Sequence, residues 1–71
     1  MQWNLLRIRK EKNLTQRDVA SIIGIHVDSY GSKEMGKREF TADEMFTLGD
    51  YFKLPIDQIF LPRKLGITEN E

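Results

Sequence analysis

The large apolar residues of this chain recur at intervals of three and four, and that spacing leaves little but α-helix. Leu5 and Ile8 begin one stripe, Val19, Ala20 and Ile23 form a second, and Met45, Leu48 and Phe52 a third. No alternating run of β-branched residues, the mark of a half-buried strand, appears among them. Each stripe is short because its ends are punctuated. Thr15 and Thr41 are good N-caps with an acid three positions on (Asp18, Glu44), and the pairs Leu14–Val19 and Phe40–Met45 can form the flanking staples. Asn4, with Trp3 and Ile8, is a looser start of the same kind. Asn13 and Gly24 can take the left-handed conformation that closes a helix. Leu54-Pro55 ends the fourth segment, and Pro55 suits the first turn of a short fifth. The chain is therefore expected to be all-α, with helices near 4–12, 15–23, 27–34, 41–52 and 55–60. They belong to one domain over 1–61, followed by a loose polar tail, 62–71, whose large apolar residues are Leu65 and Ile67.

Size and composition narrow the function classes. A chain of 71 residues buries only about 60% of its unfolded surface, a marginal core unless a partner adds to it. With no cysteine, a disulfide framework and a thiolate metal site are excluded, which suits a reducing cytoplasm. Apolar runs stop at two or three residues, far short of the roughly 18–20 that a membrane span needs. Met1-Gln2-Trp3 does not open a signal peptide. The expected location is cytoplasmic, with no membrane partner. One histidine, no phosphate-cradling glycine loop and no metal-spaced ligand set argue against an enzyme, a cofactor, a metal or a small-molecule ligand.

The net charge is zero, but it is unevenly placed. Residues 1–38 carry eight basic side chains (Arg7, Arg9, Lys10, Lys12, Arg17, Lys33, Lys37, Arg38) against four acidic ones (Glu11, Asp18, Asp28, Glu34). Residues 39–71 carry three basic against seven acidic. Such a split suits one cationic face turned to a polyanion and an acidic face turned away from it.

The stretch from Thr15 to Arg38 carries the functional signal. One helix ends at Gly24, a short turn follows, and another helix starts by Val27. Ala20 is small where two helices would cross, Gly24 tolerates an unusual backbone, and Tyr30 supplies an apolar contact from the second helix. That combination suits two helices crossing at about 90–120°, the geometry of a helix-turn-helix. The second helix would then turn its other face outward, toward a major groove.

These residues carry a family resemblance. Leu14-Thr15-Gln16, Val19-Ala20, Gly24-Ile25, Tyr30, Glu34 and Gly36-Lys37-Arg38, with Ile56-Asp57-Gln58-Ile59-Phe60 as a fifth helix, resemble the lambda-repressor/Cro-like (XRE) family over roughly residues 5–60. The resemblance implies the five-helix fold of that family, with helices 2 and 3 as the helix-turn-helix. It implies a sequence-specific DNA-binding regulator, a repressor or a Cro-like switch of phage or mobile-element type. Its partner would be double-stranded DNA with a palindromic operator, bound as a homodimer. It further implies that Val27, Asp28 and Ser32 face base edges. Gln16, Ser29, Lys37 and Arg38 would contact the DNA backbone, Ser29 being able to reach a base instead, and Arg9 and Glu34 would form an internal ion pair.

The residue types alone allow blander roles: Gln16 as an exposed helix former, Lys37 and Arg38 as loop charges, Ser29 and Ser32 as solvated serines. A protein-interaction module of the same fold, antitoxin-like or a co-regulator subunit, is the competing function, kept open by zero net charge and by Asp28. Several residues depart from the family pattern. His26 stands where a Ser or Thr cap is usual, Lys33 falls at a position that often packs an apolar side chain and so must snorkel or pair, and Gly31 costs a helix about 1 kcal/mol relative to Ala. Trp3 is expected to lie as a lid on helix 1. The expected dimer surface lies on helices 4 and 5 and the tail, with Leu54, Ile59 and Phe60.

Overall fold

The computed structural model describes residues 1–60, so readings that fall on the tail, Leu65 and Ile67 among them, lie outside the described residues. The elements are α1 (Trp3–Glu11), α2 (Gln16–Ile23), α3 (Val27–Glu34), α4 (Ala42–Phe52) and α5 (Ile56–Ile59). Each helix contributes one fully buried side chain, Leu5, Val19, Tyr30, Leu48 and Ile59 in turn. These five meet in a single core with Ile8, Ala20, Phe40, Phe52 and Phe60. Each large apolar side chain so buried contributes about 1.5–3 kcal/mol. Phe40 bridges two aromatic contacts, to Tyr30 at 5.9 Å and to Phe60 at 5.0 Å between ring centroids.

Helix boundaries follow the capping chemistry. Thr15 and Thr41 each form a reciprocal capping box with Asp18 and Glu44. Asn13 closes α1 with φ 59°. The start of α1 differs from expectation: it begins at Trp3 after Gln2, with no side-chain cap, and Asn4 lies inside the helix. The reason is tertiary, since the Gln2 N–H donates to the Glu34 carbonyl at 2.8 Å and so fixes the chain before the first turn. Trp3 is no lid, being 61% exposed. The end of α4 falls at Lys53, which takes the left-handed conformation (φ 60°), and Pro55 precedes α5 rather than opening it.

The surface expected for a dimer also changes. Ile59 and Phe60 belong to the interior core, because α5 is a single turn that turns its apolar side inward. The exposed large apolar residues of α4 are Phe46 and Tyr51.

Lys33 resolves by pairing. Its buried ammonium donates to both Glu44 carboxylate oxygens at 2.7 and 2.8 Å. Because Glu44 is also the box partner of Thr41, one carboxylate caps α4 and locks it to α3.

Candidate nucleic-acid interface

The turn between α2 and α3 is set by Gly24, whose φ of 74° and ψ of 31° lie in the left-handed region. Its N–H donates to the Ser21 carbonyl, and the Ile25 N–H donates to the Ala20 carbonyl at 3.0 Å. This six-to-one and five-to-two pair is a Schellman motif, which satisfies the last carbonyls of α2 and reverses the chain within one residue. Ile25 then packs against the core. His26, a poor cap by residue type, nonetheless caps α3, with its Nδ1 accepting from the Asp28 N–H at 3.1 Å. An imidazole nitrogen here replaces the usual hydroxyl oxygen.

The inner side of α3 is Tyr30, Lys33 and Glu34, all buried. A helix repeat of 3.6 residues therefore turns Asp28 and Ser32, four apart, to the outside together. Asp28 has 92% of its side chain exposed, while Ser29 and Ser32 are half-buried. Val27 is half-buried and packs against the core, so it presents less of itself than Asp28 does.

A buried polar cluster fixes where α3 lies. Glu34 accepts four hydrogen bonds: Arg9 Nε at 2.8 Å and Tyr30 Oη at 2.7 Å on Oε2, Arg9 Nη2 at 3.2 Å and Gln16 Nε2 at 2.9 Å on Oε1. Arg9 Nη1 donates in addition to the Leu14 carbonyl at 2.9 Å. The cluster thus ties α1, the start of α2 and α3 into one unit. Burial pushes the Glu34 carboxyl up, but hydrogen bonds from Arg9, Gln16 and Tyr30 outweigh it and hold the group below its ordinary range. Arg9 is raised by its hydrogen bond to Glu34. Burial, with the Glu34 hydrogen bond, raises the Tyr30 hydroxyl and keeps it a donor. The Glu34 bonds to Gln16 and Tyr30 went unforeseen. The spacing of Tyr30 and Glu34, four apart on the inner side of α3, was the signal available for one of them.

Gln16 itself is half-buried, with its amide bonded inward to Glu34 on one side and lying 3.6 Å from where a Cβ at Gly31 would sit. Glu34 as acceptor fixes the orientation of that amide, nitrogen toward the carboxylate. The second N–H of Nε2 remains a donor.

Beyond α3 the chain returns on itself. The Lys37 and Arg38 N–H groups both donate to the Ser32 carbonyl, at 2.9 and 3.3 Å. Both side chains are exposed, and Arg38 Nη1 lies 3.3 Å from Ser29 Oγ. Among the described residues no group of three His, Asp or Glu side chains could hold a metal ion, and no helix is long and apolar enough to cross a membrane.

A family model described as Helix-turn-helix matches residues 5–59. The crystal structure of a transcriptional regulator from Listeria innocua is similar, with a TM-score of 0.77 at 22% sequence identity, over 94% of this chain. This chain spans 58% of the length of that one, and at such identity the likeness is one of fold. No curated protein matches the chain. With a Schellman turn joining α2 to an α3 whose outer face is polar, and a family match over nearly all its helices, the chain belongs to the lambda-repressor/Cro-like (XRE) helix-turn-helix family of DNA-binding regulators.

Proposed function

We propose that the chain is a sequence-specific transcription regulator, a repressor or Cro-like switch of phage or mobile-element type, that binds a palindromic DNA operator as a homodimer. The observation that carries this reading is the two-sided character of α3. Its inner side is anchored by the Arg9–Glu34–Gln16–Tyr30 cluster and the Lys33–Glu44 pair, while Asp28 and Ser32 stand outward. A rigidly held helix with short polar groups outside suits insertion into a major groove. Asp28 and Ser32 face base edges, with Val27 at the margin. Gln16 and Lys37 hold phosphates and so fix register, which is the division of labour such interfaces use.

Binding as a dimer is supported by the small number of base contacts that one short helix offers, which two half-sites a helical turn apart would double. The face for it is the exposed side of α4, which presents Phe46 and Tyr51 at its two edges with Asp43 and Asp50 between them. Selection of bound sites from a random duplex pool tests the reading. The expected result is an inverted repeat. Recovery of no common motif, with weak binding that vanishes in moderate salt, would favour the interaction module of the same fold.

A further inference from the structure

The family resemblance gives Ser29 and Arg38 to the DNA backbone, but their geometry supports another role. The Arg38 backbone is anchored at the C-terminal half of α3 through the Ser32 carbonyl. Its guanidinium is held at Ser29, three residues back toward the helix start. The side chain therefore runs back along α3, on the side that carries Asp28, Ser29 and Ser32. That outer face has only short polar groups of its own and no cation. We propose that Arg38 is a base reader, presenting its guanidinium to a guanine in the major groove, with Ser29 as the residue that positions it. The proposal rests on the DNA-binding reading above.

The chemistry fits the residue types. A guanidinium has five N–H donors in a planar fork, and the bond to Ser29 uses one on Nη1. A second donor pair remains for the O6 and N7 acceptors of guanine, a bidentate match that arginine makes and a serine cannot. The tether also restricts a long side chain before binding, so less freedom is lost on contact. Lys37, with no such tether, keeps the phosphate role.

Selection from the random duplex pool, followed by titrations at several salt concentrations, is run on the unaltered chain and on Arg38→Ala, Arg38→Lys and Ser29→Ala. Melting by circular dichroism confirms that each variant is folded. The unaltered chain should select a guanine in each half-site. Arg38→Ala should lose that guanine and about 5–150-fold in affinity per half-site, the range expected for one bidentate base contact in each. Arg38→Lys, which lacks the planar fork that Ser29 holds in place, should weaken the preference while keeping the salt slope, and Ser29→Ala should weaken it in the same direction. If instead Arg38→Ala weakens all sequences alike, keeps the guanine, and flattens the slope by about one unit per protomer, Arg38 is a phosphate contact and the inference fails. An unaltered chain that selects no motif overturns the regulator reading itself, a result distinct from loss of the Arg38 role alone.

Discussion

Replacing Glu34 by Gln should bring this domain close to unfolding. The carboxylate is 2% exposed and accepts four hydrogen bonds, two of them from the buried Arg9. An amide at the same place has one acceptor oxygen and turns an NH2 group toward donors, leaving the Arg9 charge uncompensated. Breaking one partner of a buried pair costs about 3–5 kcal/mol. At about 0.05–0.15 kcal/mol per residue, the whole chain has on the order of 4–11 kcal/mol to lose. For a domain of this size about 4–8 °C accompany each kcal/mol, so the melting temperature should fall by at least ~12 °C. Calorimetry or thermal circular dichroism on Glu34→Gln, Arg9→Met and the double variant completes a cycle. The double variant should lose less than the sum of the singles by well over ~0.5 kcal/mol, because each single strands a charge that the double removes. Single losses below about 1 kcal/mol that add simply would refute the account, and would mean that the cluster is open to water.

The Lys33–Glu44 pair should behave asymmetrically: Glu44→Ala should cost roughly 3 kcal/mol or more by stranding a buried ammonium and removing the α4 box, whereas a Lys33→Met, Glu44→Gln double variant should recover most of it in urea melts. Acid should unfold the chain through its depressed carboxylates. Glu34 and Glu44 lie below their ordinary values, so the stability they contribute is full above the unfolded carboxyl range near pH 4.3 and is lost as pH falls through their folded values; urea midpoints flat from pH 5 down to 3 would contradict this. Lys37→Ala should lower affinity for every DNA sequence alike and reduce the salt slope by about one unit per protomer, read by fluorescence anisotropy. Phe46→Asp should shift sedimentation toward monomer while leaving the helical spectrum intact, and an unchanged dimer would remove α4 from the interface.

What could be read from the sequence was the local grammar. Thr15 with Asp18 and Thr41 with Glu44 fix helix starts through bonds within four residues, and Gly24 fixes the turn through its own backbone freedom, so single positions suffice. The missed features depend on partners distant in the chain. α1 starts at Trp3 because Gln2 meets the end of α3, which no window around residue 3 contains. Ile59 and Phe60 were placed at a surface because an apolar tip on a one-turn helix looks the same whether it turns in or out. Lys33 was legible only as a conflict, a charge at an apolar position, and Glu44, eleven residues away, resolves it. In the site, residue types marked Gln16 and Arg38, but only the fold shows where Glu34 and Ser29 hold them.

The zero net charge reads differently once the internal pairs are known. Of the eight cations in residues 1–38, Arg9 and Lys33 are neutralised inside by Glu34 and Glu44, and Arg7 pairs with Glu11 along α1. Lys10, Lys12, Arg17, Lys37 and Arg38 remain exposed, and of these Lys37 and Arg38 follow α3 directly in the chain, opposed by Asp28. If Lys37 is the one cation on phosphate, with Gln16 a neutral contact, the log-affinity versus log-salt slope of a protomer stays near −1, since each neutralised phosphate contributes about −0.9. So shallow a dependence gives weak non-specific binding, and affinity must come from base contacts doubled across two half-sites. A dimer slope near −2 on the selected operator is the expected value, and one near −4 would put Arg38 on phosphate as well. A slope near −8 would mean that Lys10, Lys12 and Arg17 lie against the DNA as well, and that phosphate contacts from the end of α1 and the start of α2 carry much of the affinity.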